Sequence, residues 1–153
     1  MTEVELVETL TSVLGDRSES AHVLRSKRII VLVKRDSFIE VAEILRDKFG
    51  FTLPVSGGAI DFPKENKMQM MYYLMHPDKK FTLIYKVDLP RDDLVLPTLT
   101  SVWEAMSFHE REAHEMFGIE FEGHANMIPL LLPPDWKGGY PLRKDFKGEG
   151  VVE

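Results

Sequence analysis

The residues of this chain best suited to chemistry are crowded between His109 and His124: three histidines (His109, His114, His124) and the carboxylates Glu110, Glu112 and Glu115. Imidazole and carboxylate are the usual ligands of a catalytic zinc ion, which polarises a carbonyl or activates a water. The spacing argues against that use. A zinc-binding H-E-x-x-H helix sets its histidines four residues apart, about 40° from one another around the axis, whereas His109 and His114 are five apart, about 140°. On a regular helix they face different directions and cannot share an ion. A turn can bring His124 back to either, with Glu112 or Glu115 beside it, so a stand-alone metal-dependent hydrolase on His109, His114 and His124 remains the alternative reading. Glu110 and Glu112 read as a solvated or ion-paired surface.

Other reactive constellations are missing. With no cysteine the chain can form no disulfide, thiolate nucleophile or cysteine-ligated iron–sulfur cluster. Gly57-Gly58 lacks the surroundings of a phosphate loop and reads as a turn. No serine sits in a nucleophile elbow. A net charge of −6 with no concentrated basic face argues against a nucleic-acid partner.

The elements that must position these residues follow from periodicity. Residues 2–14 read as a helix, with Thr2 and Glu5 at capping-box spacing, Val4, Leu6, Val7, Leu10, Val13 and Leu14 on one face, and Gly15 as the stop. Ser18–Ala21 reads as a polar connector. Arg28–Lys34 is continuously apolar and β-branched, as in a buried strand. A second helix is expected from residue 36 or 37 to Lys48, with Phe38, Val41, Ala42, Ile44 and Leu45 inward and Gly50 ending it. A β-meander follows: Phe51–Val55, broken at Ser56-Gly57-Gly58, then Lys67–Met75, a Pro77-Asp78 turn and Phe81–Val87. The methionines and tyrosines of 68–75 read as core filler. Leu89–Pro97 is expected to be a loop, and Thr98–Met106 and His109–Phe117 two helical pieces. The result is an α+β fold: an N-terminal helix, a mostly antiparallel sheet with packed helices over 1–122, and an extended proline-rich tail over 123–153.

No window approaches the ~20 apolar residues of a membrane span, and the acidic N-terminus is unlike a secretory signal. The chain is expected to be soluble and cytoplasmic, able to sit beside a membrane within a complex. The segment from Trp103 crowds charged and aromatic residues without core periodicity, which points to contacts with another protein. On a helix Glu110, Arg111 and Glu112 cannot all face one way. Arg111 and Glu115 stand at i,i+4 and are expected to pair, leaving Glu112 for a partner. Trp136, Tyr140 and Phe146 are candidate aromatic anchors, and Arg143, Lys144 and Asp145 offer both signs of charge. A small regulatory or chaperone-like binding protein would use such a surface too.

Glu110-Arg111-Glu112, Phe117-Gly118-Ile119, Phe121, Gly123-His124, Trp136, Gly138 and Pro141-Leu142-Arg143-Lys144-Asp145-Phe146 recur in order. Together they resemble the 30 kDa subunit family of the NADH–quinone oxidoreductases, a component of respiratory complex I. Glu115 stands for the family's usual aspartate, Ala125 for a proline, and Ile128-Pro129 for two arginines. These departures resemble the corresponding subunits of complex I relatives: membrane-bound group 4 NiFe hydrogenases, formate hydrogenlyases and archaeal sulfane reductases. The resemblance implies a non-catalytic structural subunit of the hydrophilic arm at the cytoplasmic face of the membrane. Such a subunit holds no cofactor and docks on the large catalytic (49 kDa or NiFe-hydrogenase-like) subunit. It helps seat the iron–sulfur small subunit, and antiporter-like membrane subunits belong to the same complex. The clusters and any NiFe centre lie in those partners. The family motif at Glu110, Arg111, Glu112, Glu115, Phe117, Gly118, Gly123, His124, Trp136 and 141–146 would form the partner interface.

Overall fold

The structure, a computed structural model, describes residues 1–148, so the end of the tail expected over 123–153 lies outside the described residues. Helix α1 spans Glu3–Leu14. Its capping box is complete: Glu5 N–H donates to the Thr2 hydroxyl (3.2 Å) and Thr2 N–H donates to the Glu5 carboxylate (2.8 Å). Leu6, Leu10 and Leu14 face the core, while Val4 stays exposed. Thr2→Ala is expected to cost about 1 kcal/mol, read as a lower denaturation midpoint, because it leaves that amide uncapped.

Two antiparallel strands follow, β1 (Ser18–Arg25) and β2 (Arg28–Val33). The stretch read as a polar connector is therefore the first half of an edge strand. Most of β1 is exposed, so nothing in its sequence alternates between core and water. Helix α2 (Phe38–Asp47) buries Phe38, Val41, Ala42 and Leu45, with Ile44 only partly covered.

The meander is β3 (Leu53–Phe62), β4 (Lys67–Met75) and β5 (Thr82–Pro90), antiparallel throughout. The five-stranded sheet has the order β1-β2-β5-β4-β3, and its one parallel pair is β2 with β5. Alternation along the strands sorts the side chains. Ile29, Val31, Val33, Met70, Tyr72, Leu83 and Tyr85 join the helices in the main core, while Ile30, Met71 and Ile84 form a small apolar cluster of their own. The methionine-rich strand is core, as its composition suggested.

Three expectations fail locally. Gly57-Gly58 does not break a strand: β3 runs through it, with Gly57 opposite Tyr72 and Gly58 opposite Met71. A Cβ at Gly57 would lie 3.1 Å from His109 Cβ, so the missing side chain admits a helix close to the sheet. That helix is α3, Ser107–Phe117. Thr98–Met106 is a turn with a single 3₁₀ turn at Glu104–Met106. Thr100 N–H donates to the Thr98 hydroxyl (3.2 Å) and Trp103 Nε1 donates to Phe51 O (3.0 Å), both at odds with a continuous helix. Finally, the loop after β5 contains β6 (Val95–Pro97), which pairs in parallel with β7 (Glu120–Glu122) just beyond α3. After Glu122 the described residues form no helix or strand.

Candidate functional site

Helix α3 starts at Ser107 and ends at Gly118, whose φ of +82° suits a residue without Cβ. Every chemistry-bearing residue singled out near it has a definite place. Glu110 is fully buried and is not the solvated acid its sequence suggested. Its carboxylate accepts from the Thr98 hydroxyl, from Leu99 N–H (3.0 Å) and from the Tyr72 hydroxyl (3.1 Å), tying α3 to β4 and to the turn before α3. Burial pushes the Glu110 carboxyl above the usual carboxylate range, and those three donors hold it back. Burial, then the Glu110 charge, raises Tyr72 well above the usual phenol range, so its hydroxyl remains a donor.

Arg111 and Glu115, one turn apart, do not pair with each other. Arg111 donates through Nε to Ile128 O (3.1 Å) and through a terminal nitrogen to Pro129 O (3.1 Å). Glu115 accepts from Leu130 N–H and from Leu131 N–H (2.8 Å). The two side chains thus read four consecutive residues through main-chain atoms alone, and the side chains of Ile128, Leu130 and Leu131 stay exposed. Glu112 is half-buried, and Phe117 belongs to the core.

The PLRKDF segment closes the other end. Leu142 N–H donates to Met116 O (3.1 Å) and Arg143 Nε to Phe117 O (2.8 Å), so a cation caps the C-terminal carbonyls of α3. The Arg143 guanidinium stacks 4.3 Å from the centre of the Tyr140 ring. Lys144 N–H donates to Asp61 (2.9 Å), a buried acid that also meets Arg91 at 3.1 Å, and Arg91 reaches Asp145 at 3.4 Å. Pro141 and Phe146 are half-buried and Leu142 is exposed. Trp136 Nε1 donates to Gly139 O (2.8 Å) and borders an open groove of about 360 Å³ with His114, Pro129, Pro133 and Tyr140.

The histidines go separate ways. His109 lies over Gly57, and His114 Nδ1 meets Ile119 O (2.8 Å). Gly123, at φ +84°, turns the chain so that His124 Nε2 meets the Ser107 carbonyl (3.2 Å) and Asn126 N–H donates to His124 Nδ1 (3.1 Å). Among the described residues no group of three or more His, Asp or Glu side chains is placed to hold a metal ion. The hydrolase reading therefore has no assembled site behind it.

Sequence reasoning missed Tyr72, Thr98, Asp61 and Arg91. A tyrosine inside a buried methionine strand needs a hydroxyl partner, and that was the available signal for Glu110.

Residues 31–152 match the family described as the respiratory-chain NADH dehydrogenase 30 Kd subunit. The chain belongs to this family. Among members of the 30 kDa subunit family, the corresponding subunit of the F(420)H(2) dehydrogenase of Methanosarcina mazei is 32% identical over 143 residues, covering 94% of this chain and 90% of that one. The C/D polypeptide of the NADH-quinone oxidoreductase of Pseudomonas fluorescens is 30% identical over 152 residues, which are 93% of this chain and 25% of the longer relative. A chain in the structure of the membrane-bound sulfane sulfur reductase, an archaeal respiratory membrane complex, superposes with a TM-score of 0.84 at 28% identity, covering 94% of this chain and 85% of that one. The 30 kDa family motif is thus largely architectural here: its Glu, Arg and PLR residues fasten α3 to the sheet and the tail to α3.

Proposed function

We propose that this chain is the non-catalytic structural subunit of the hydrophilic arm of a complex I-like, membrane-associated oxidoreductase. The observation that carries this reading is the family match itself, which spans the whole meander and the α3–tail unit. The tail, residues 123–153, acts as the docking segment and residues 1–122 as its platform. Apolar side chains held outward along the tail support this: Ile128, Leu131 and Leu142 are each more than half exposed although their main chain is fixed.

The partner is the large catalytic (49 kDa or NiFe-hydrogenase-like) subunit. The C/D relative, in which a chain like this one forms part of a longer polypeptide, supports that choice. The iron–sulfur small subunit and antiporter-like membrane subunits complete the assembly. Clusters and any NiFe centre reside in those partners, and the complex lies on the cytoplasmic face of the membrane. No described helix is long and apolar enough to cross a membrane itself.

Affinity purification of the tagged chain from its native membranes in mild detergent, followed by mass spectrometry, tests this reading. Stoichiometric recovery of a large oxidoreductase subunit, an iron–sulfur subunit and antiporter-like proteins is expected. Recovery of the chain alone from the soluble fraction would refute it. Trp136→Ala is expected to lower the yield of intact complex severalfold while shifting the chain's own stability by less than about 1 kcal/mol, since aromatic anchors dominate interface energies. An unchanged yield would remove Trp136 from the interface.

A further inference from the structure

We infer that residues 127–146 form a strap that unlatches from α3 as one unit while the sheet stays folded. The chemistry of its attachment carries the inference. The strap is fastened almost entirely by polar bonds: Arg111 and Glu115 to main-chain atoms of 128–131, Leu142 and Arg143 to the last carbonyls of α3, and Lys144 to Asp61. Of its apolar side chains, only Met127 packs against the main core. Lifting the strap therefore exposes little apolar surface, so the hydrophobic term that makes global unfolding costly is nearly absent.

The latch also has somewhere to go. Arg111 and Glu115 are buried beneath the strap itself. Once it lifts, both side chains reach water, and they stand one helical turn apart, where they can pair with each other. Opening thus exchanges bonds to the main chain for an intrahelical ion pair and hydration, and leaves no charge buried without a partner. The clamp reads backbone rather than side chains, so it holds this stretch whatever residues occupy it. It behaves as a two-position element: closed, it presents Ile128 and Leu131 outward; open, it bares the polar face of α3 and the carbonyls at its end. The latch is a property of the chain alone and does not depend on which complex the chain joins.

Hydrogen exchange on the whole purified chain tests this. The amides of Leu131, Leu142 and Lys144 are expected to exchange through a shared opening, at least about 100-fold faster than the amides of central β4 and β5. Arg111→Ala is expected to speed exchange at all three by a similar factor, about ten-fold or more, including at Leu142 and Lys144, which Arg111 does not touch. Arg143→Ala, at the opposite anchor, should speed exchange at Leu131 in return. Strap amides exchanging at the rate of β4 and β5, variants that accelerate only the amides beside the altered side chain, or variants that raise β4 and β5 equally would each overturn the inference.

Discussion

Glu110→Ala is expected to lower the unfolding free energy by about 2–4 kcal/mol, a large share of what a single domain has. The loss comes from what remains behind. The Tyr72 hydroxyl, the Leu99 N–H and the Thr98 hydroxyl all point into the space the carboxylate fills. Thr98 can fall back on Thr100, 3.0 Å away; the other two are stranded where water does not reach. Removing a buried carboxylate regains part of its desolvation cost, which keeps the loss below the sum of three broken bonds. Glu110→Gln should be far milder, because the amide oxygen can accept from Tyr72 and Leu99 while the NH₂ donates to Thr98 Oγ1. Urea midpoints of the three proteins rank them, and an alanine variant as stable as the glutamine variant would sink the account.

The same pair of proteins carries a pH signature. Burial raises the folded Glu110 carboxyl above its unfolded value. Between the two values the folded chain holds a proton that the unfolded chain has released, so Glu110 favours folding fully below the unfolded value. That contribution is lost as pH rises through the folded one. Wild-type stability measured relative to Glu110→Gln should therefore fall as pH climbs out of the ordinary carboxylate range, then level off. A difference that stays flat with pH would refute it.

Gly118→Ala is the second large effect, expected at about 2–3 kcal/mol. A Cβ there would sit 2.5 Å from an Arg143 guanidinium nitrogen and 2.8 Å from the Tyr140 ring, at a φ of +82°. The backbone conformation costs roughly 1 kcal/mol for an L-residue, and the overlap adds about 1–3 kcal/mol unless Tyr140 and Arg143 move away. Gly139→Ala is the control, since Gly139 has φ +85° and open space around the added carbon. The stability difference between the two variants isolates the packing of PLR against α3. Equal losses would show that the close approach contributes nothing.

Much of this was legible in the chain, for reasons that differ by element. Helix α1 announced itself because Thr2, Glu5 and the leucine spacing agree. Strand β4 did so because nine residues dominated by methionine, tyrosine and leucine belong inside. β1 was hidden because an exposed edge strand needs no apolar alternation. Gly57-Gly58 was misread because the reason for glycine there, the arrival of α3, lies far along the chain. The ERE motif misled most. Its charges suggested a surface, and only the fold reveals that Glu110 satisfies buried donors while Arg111 and Glu115 spend theirs on a neighbouring main chain. The resemblance identified the right family while the physical role of its motif residues stayed hidden until their partners were known.

The order of strands in the sheet has a consequence for how the chain is made. β5 sits between β2 and β4 and pairs in parallel with β2, about fifty residues earlier. At about 5–20 residues per second, a ribosome leaves β2 waiting several seconds for that neighbour. Meanwhile the Ile29–Val33 backbone offers an unpaired, β-branched edge, the kind that recruits other strands. β1 covers one side of it and α1 can shield a face, but only β5 closes the other side. A chain halted before Phe81 is therefore not a smaller version of this domain; it is a sticky hairpin, and newly made copies depend on being kept apart until the centre of the sheet arrives.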